Sequence, residues 1–206
     1  MQHRNQLPNL LNSLNLKDKG AEVGVFKGEF SKFILENWNG HLYMIDTWKP
    51  FPKKEYEDGS NKDEFKSIIS EVFDNLEGYE TRSTLIRSLS HEASELFEDY
   101  SLDFVYIDAN HTYNYVKSDI ESWYKKVKIG GILCGHDYIN KLDCFNEENY
   151  KNGIKNFPIY LHTEDGGSCY AGMFGVNPAV DEFCKSHRYD LNITNEFLAT
   201  WWIIKR

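Results

Sequence analysis

The run Ala21-Glu22-Val23-Gly24-Val25-Phe26-Lys27-Gly28 constrains this chain most, because a short apolar strand enters a turn with glycines four apart and then meets a helix. In α/β proteins such a turn lets the backbone approach a nucleotide-like ligand closely, while the following helix aims its N-terminal dipole at it. Glu22 sits at the strand end, and about 22 residues beyond Gly24 a second strand delivers Asp46, an acid spaced to take a ribose hydroxyl. The expected cofactor therefore carries a ribose. A dinucleotide fingerprint would need Gly-x-Gly-x-x-Gly; Phe26 stands where the middle glycine belongs, which disfavours a nicotinamide oxidoreductase.

Apolar periodicity organises the rest of the chain around that turn. Helical spacing predicts a short leading helix over 7–16, and Phe30, Phe33, Ile34 and Trp38 make the helix after strand 21–25 amphipathic. Strand 41–45 follows, then an irregular stretch, 47–60, rich in proline and aromatics. A helix is expected over 63–76, a strand over 81–86, and a helix to Phe97 with Ser90 as its N-cap. The continuous apolar run 102–107 reads as a buried strand ending in Asp108, with Val116, Ile120, Trp123 and Val127 lining the next helix. Gly130-Gly131 then turns the chain into another inner strand, 132–135, which ends in His136-Asp137-Tyr138. Strands alternating with helices predict a doubly wound, mostly parallel α/β sheet. Segment 139–170 breaks the pattern, with a short strand near 157–161 as its one candidate element. A helix starting at Asn177-Pro178 and an antiparallel pair over 191–194 and 200–204 are expected to close the fold.

With 206 residues, one domain spanning 1–206 is expected, and 139–170 reads as an irregular insertion within it. No apolar run approaches the roughly 20 residues that cross a bilayer, and the N-terminal residues lack the apolar core of a secretory signal. Cys134, Cys144, Cys169 and Cys184 show no metal-like spacing and read as free thiols, so a cytoplasmic protein without a membrane partner is expected. A net charge of -9 opposes nucleic acid as a partner. The basic run Lys125-Lys126-Val127-Lys128 reads as the last turn of a helix, where cations complement the dipole. A homo-oligomer is compatible with the sequence.

Ligands of open α/β sheets bind beyond the carboxyl ends of the strands, so Glu22, Asp46, Asp108, His136 and Asp137 are the site candidates. Asp108 and Asp137 are expected at the ends of adjacent inner strands, an oxygen-rich cluster suited to a hard cation such as magnesium. His111, three residues past Asp108, can turn back into the same space. Asp119, Glu121 and Asp143 have no comparable placement and read as solvated. Each candidate also has a plainer role open to it: a strand-end Asp as a helix cap, a histidine satisfied in the core.

Phe104-Val105-Tyr106-Ile107-Asp108-Ala109-Asn110-His111-Thr112-Tyr113, then Asp119 and Trp123, then Gly130-Gly131-Ile132-Leu133-Cys134-Gly135-His136-Asp137-Tyr138, resembles class I methyltransferases with the pattern IDxxHxY … GGxxxGHDY. It is similar to the macrocin-type sugar O-methyltransferases and more distantly to the catechol O-methyltransferases. The resemblance implies a Rossmann-like, seven-stranded, mostly parallel sheet with an antiparallel last strand, and S-adenosylmethionine as cofactor. It also implies that Glu22, Gly24 and Gly28 line the methionine and ribose side, Asp46 binds the ribose, Ser88 and Leu89 edge the adenine, and Asp108 borders the cofactor. Asp108 and Asp137 match the acids that hold a metal, Mg2+, in metal-dependent relatives. Catechol-type enzymes have Asn where Tyr138 stands and macrocin-type enzymes have Asp where His136 stands, so His136 is the candidate third ligand and the need for metal stays open. His111 is the expected general base, with His136 as the alternative and Asp108 beside them. The expected acceptor is a hydroxylated small molecule such as a sugar, with Trp48, Tyr113 and Tyr138 as a candidate aromatic wall. A non-catalytic ligand-binding or scaffold domain that keeps the fold is the other reading.

Overall fold

The computed structural model describes residues 1–49, 64–139, 160–162, 168–170, 175–196 and 198–206. A 3-10 turn, Arg4–Gln6, leads into α1 (Leu7–Ser13), after which strands and helices alternate: β1 (Lys19–Val23), α2 (Glu29–Asn37), β2 (His41–Asp46), α3 (Glu64–Asn75), β3 (Ser83–Arg87), α4 (Ser90–Ser94), β4 (Leu102–Ile107), α5 (Tyr113–Lys126) and β5 (Val127–Tyr138). A short pair, β6 (Tyr160–His162) and β7 (Ser168–Tyr170), precedes α6 (Val176–His187), β8 (Asn192–Ile193) and β9 (Ala199–Ile204).

The main sheet has the order β3-β2-β1-β4-β5-β9-β8, and β6 pairs with β7 in a separate two-stranded sheet. Strands β1 to β5 are mutually parallel, β9 is antiparallel to β5, and β8 is antiparallel to β9. Six of the seven strands therefore run one way and β9, the last in the chain, runs against them, as expected. The strand order reverses at β1, whose neighbours are β2 and β4. Such a switch point opens a crevice at the carboxyl ends of the strands.

All six residues of β4 are buried, which is the state of a central strand covered on both faces. Its side chains alternate between two cores. Phe104 and Tyr106 pack with Trp38, Ile34 and Leu11 on one face. Val105 and Ile107 pack with Trp123, Val116 and Val180 on the other. Removing a fully buried aromatic such as Trp38 costs about 3–5 kcal/mol by the cavity it leaves. The basic run is split: Lys125 and Lys126 stand in the last turn of α5, but Val127 and Lys128 already open β5, which starts ahead of Gly130-Gly131 and not after them, and Lys128 pairs there with Asp103 at 2.8 Å and Asp18 at 3.1 Å. The Nζ of buried Lys205 donates to the Tyr124 and Val127 carbonyls at 2.7 and 2.8 Å. Those are carbonyls that a helix C-terminus leaves without intrahelical partners. Cys134 and Cys184 are free and buried.

Three further local expectations are corrected. Ser90 is the first residue of α4 and not its cap, because its hydroxyl is used across the fold to accept the Trp123 indole N–H at 2.9 Å. Strand β1 stops at Val23, since Gly24 turns left-handed with φ 91. Asp119 is 3% exposed and not solvated: α5 turns it inward towards Ser90. Most of 47–60, Asp143 and most of 139–159 lie outside the described residues. Among the described residues no helix is long and apolar enough to cross a membrane.

Candidate active site

The glycine turn is shaped by its own strands. A Cβ on Gly24 would lie 1.9 Å from the Asp108 carbonyl oxygen, so only glycine fits where the ends of β1 and β4 meet. The Gly24 N–H donates to the Ile45 carbonyl at 2.8 Å and the Asp108 N–H to the Val23 carbonyl at 2.7 Å, which locks three strand ends together. Gly28 caps α2 in the left-handed conformation, φ 80, and is not among the residues lining the cavity described next. Asp46 closes the loop from the β2 side: Oδ2 accepts the Val25 and Phe26 N–H groups at 2.9 Å each, and Oδ1 accepts that of Trp48 at 2.8 Å. A carboxylate offers about four acceptor positions, so one remains on Oδ1 for a ligand hydroxyl.

Over these strand ends lies a cavity of about 760 Å³. Its walls include Glu22, Gly24, Asp46, Ser88, Leu89, Asp108 and His111, and also Arg4, Asn110 and Asp119, to which the sequence assigned no place in the site. Burial pushes the Glu22 carboxyl up to about 8, against a hydrogen bond donated by the Ser31 hydroxyl. Burial likewise pushes Asp119 up to about 7, against its hydrogen bond with Ser90. Asn110 fixes the turn after β4 by accepting from the Thr112 N–H and hydroxyl at 2.9 and 2.8 Å. Its Nδ2, among the described residues, is the buried side-chain polar atom without a hydrogen-bond partner.

At the ends of β4 and β5 the expected polar cluster forms. The His111 Nε2 lies 2.7 Å from Asp137 Oδ2 and 3.4 Å from Asp108 Oδ1, while the His136 Nδ1 lies 3.2 Å from Asp137 Oδ1 and 3.9 Å from Asp108 Oδ2. Asp137 adopts a left-handed φ of 58, at an irregularity in the β5–β9 ladder between Gly135 and Tyr138. A bulge of this kind re-aims a side chain, here a carboxylate towards both imidazoles. Burial opposes the Asp137 charge, but the charge and hydrogen bond of His111, together with those of His136, outweigh it and hold the carboxyl well below the usual range. For His136, burial disfavours the cation, yet Asp137 and Asp108 win and its pKa rises.

Both imidazoles stand beside the two acids, and His111, expected as the base, is the one grouped with them at ligand spacing. Asp108, His111 and Asp137 offer ligating atoms all within 4.8 Å of one another, whereas His136 falls outside that group. The His136 ring also packs towards Tyr106, the two ring centroids 6.5 Å apart. The candidate aromatic wall is absorbed by packing. Tyr138 donates to Asp181 at 2.9 Å, Tyr113 donates to Glu182, and the Trp48 indole donates to the Phe26 carbonyl at 3.0 Å. The first two fasten α6 and the third fastens the glycine loop.

Comparison with known proteins agrees with this architecture. The model of the family described as "Methyltransferase domain" matches residues 21–138. A candidate caffeoyl-CoA O-methyltransferase from Staphylococcus aureus superposes with a TM-score of 0.64 at 18% identity, covering 97% of this chain and 81% of its own. The O-methyltransferase NovP gives 0.62 at 15% identity, covering 98% and 78%. DhpI, in a complex with SAM and HEP, gives 0.57 at 11% identity, covering 98% and 86%. These likenesses show a shared fold. Over 97 residues, 46% of this chain, the sequence is 29% identical to the uncharacterized protein y4gI of Sinorhizobium fredii, and the match spans 10% of that protein.

Proposed function

The chain belongs to the methyltransferase domain family, and from that premise we propose that it is an S-adenosylmethionine-dependent O-methyltransferase acting on a hydroxylated small molecule, with sugars the first class to test. The cavity suits the cofactor: Asp46 keeps one acceptor position for a ribose hydroxyl, Ser88 and Leu89 flank the adenine end, and Glu22 and Gly24 face the amino-acid tail. When bound, S-adenosylmethionine supplies an electrophilic methyl group on a sulfonium.

What the chain adds is proton handling and placement. The observation that carries the reading is the 2.7 Å contact between His111 and Asp137 beside this cavity. In the neutral tautomer that donates Nε2–H to Asp137, His111 presents its Nδ1 lone pair, and that nitrogen takes the acceptor's hydroxyl proton as the oxygen attacks. Asp137 holds the ring and stabilises the imidazolium that forms, and Asp108 adds a second negative charge 3.4 Å from the same nitrogen. A working base and orienting acid are not needed by a scaffold domain. The net charge of -9 supports a small acceptor over a polyanion.

A second reading has its own observation. The two carboxylates and the imidazole at ligand spacing would suit a divalent cation, Mg2+ or a metal that accepts mixed N/O donors, and such a cation would lower the acceptor's pKa. His111 would then be a ligand and not the base, with His136 left outside the shell. Incubating the protein with methyl-labelled S-adenosylmethionine and a panel of sugars, phenols, RNA and peptides, with and without excess chelator, tests both. Label on a hydroxylated small molecule in chelator supports the base. Label only with cation restored supports the metal, and label on RNA or peptide alone refutes the acceptor class.

A further inference from the structure

Arg4 reaches the cavity from outside the matched family segment. The 3-10 turn that carries it is pinned to the β8–β9 connection: the Arg4 N–H donates to Glu196 Oε1 at 2.9 Å, the His3 ring nitrogen lies 3.0 Å from Glu196 Oε2, and the Asn195 N–H donates to the Gln2 carbonyl at 3.0 Å. So fastened, the Arg4 side chain joins the cavity wall with its guanidinium 5.0 Å from the centroid of the Phe30 ring. Among the described residues no carboxylate pairs with that guanidinium, and its charge is felt at both Glu22 and His136. Other basic side chains of the wall are placed differently: Lys27 is paired with Glu71 at 2.9 Å, and Lys49 follows β2 beyond Asp46.

We infer that the Arg4 guanidinium binds the α-carboxylate of the cofactor's amino-acid tail, an inference that rests on reading the cavity as an S-adenosylmethionine site. A zwitterionic tail carries an ammonium and a carboxylate on one carbon, so its site needs an acid and a base close together that are not spent on each other. Arg4 meets the carboxylate half of that need, on a cavity wall it shares with Glu22, whose buried carboxyl offers the ammonium an acceptor and not a full charge at neutral pH. The guanidinium supplies a planar fork for a carboxylate, and its carbon lies over the Phe30 ring.

Calorimetry on the full chain with S-adenosylhomocysteine, which keeps the tail, and 5′-methylthioadenosine, which lacks it, separates the possibilities. Arg4→Gln is expected to weaken S-adenosylhomocysteine by roughly 10- to 100-fold, the range of a charge-assisted hydrogen bond, and to leave 5′-methylthioadenosine unchanged. Arg4→Lys recovers part of the loss. Equal weakening of both ligands would overturn the inference in favour of a structural role for the turn. Unchanged S-adenosylhomocysteine affinity with a raised KM for the acceptor would overturn it in favour of an anionic acceptor. If the unmodified protein binds neither ligand, the cofactor reading itself fails and takes the inference with it.

Discussion

Glu22 makes a quantitative test of how the glycine turn is built. It is 2% exposed on β1, and burial raises its carboxyl from the ordinary 4.5 to about 8. At neutral pH the folded protein therefore holds a proton that the unfolded chain releases above about 4.5. The sign follows: the penalty on folding is absent below 4.5, grows as pH rises, and levels off above 8. At about 1.36 kcal/mol per unit, the penalty is about 3 kcal/mol at neutral pH and approaches about 5 kcal/mol at the plateau. Glu22→Gln keeps the shape and an acceptor for Ser31 but cannot ionise. Urea unfolding of both proteins, followed by tryptophan fluorescence from acidic to alkaline pH, isolates the effect, because other titrations, including that of Asp119, cancel in the difference. The variant should match the parent within about 1 kcal/mol in acid and exceed it by several kcal/mol at the alkaline end. A difference that stays constant with pH would refute the reasoning.

The remaining predictions concern the site. His111→Ala should lower methyl transfer by about 10² to 10⁴ while leaving S-adenosylhomocysteine affinity unchanged, as read by single-turnover kinetics and calorimetry. Gly24→Ala forces a Cβ into the Asp108 carbonyl at a φ of 91, so it should cost about 3 kcal/mol or more in thermal unfolding and abolish cofactor binding as the ends of β1 and β4 separate. Excess chelator should leave turnover intact if the His111–Asp137 pair supplies the base. A loss reversed by Mn2+ or Mg2+ would move His111 into a metal shell.

The sheet was legible because β1, β2 and β4 are short apolar runs, the first ended by Gly24, whereas the start of β5 was not, because that strand already begins at Val127 and runs through Gly130-Gly131. Asp46, Asp108 and Asp137 were legible because topology places strand ends at one edge. That Asp137 contacts both His111 and His136 was not, since it depends on how the irregularity between Gly135 and Tyr138 aims the carboxylate. Asp119 was hidden for a similar reason: a carboxyl at an inward helical position looks solvated until Ser90 is seen beside it. Tyr113 and Tyr138 look like acceptor contacts in sequence but spend their hydroxyls on Glu182 and Asp181, because α6 packs against α5. Arg4 had no signal at all, for its place is set by Glu196 at the other end of the chain.

The central claim is that the cavity over β1, β2 and β4 is an S-adenosylmethionine site, and direct titration of the protein with S-adenosylmethionine, S-adenosylhomocysteine and NAD tests it. Micromolar binding of the first two, roughly -8 kcal/mol, with Asp46→Ala weakening both and NAD giving no heat, is the predicted result. Tight NAD binding, or no binding of either adenosyl compound, would contradict it.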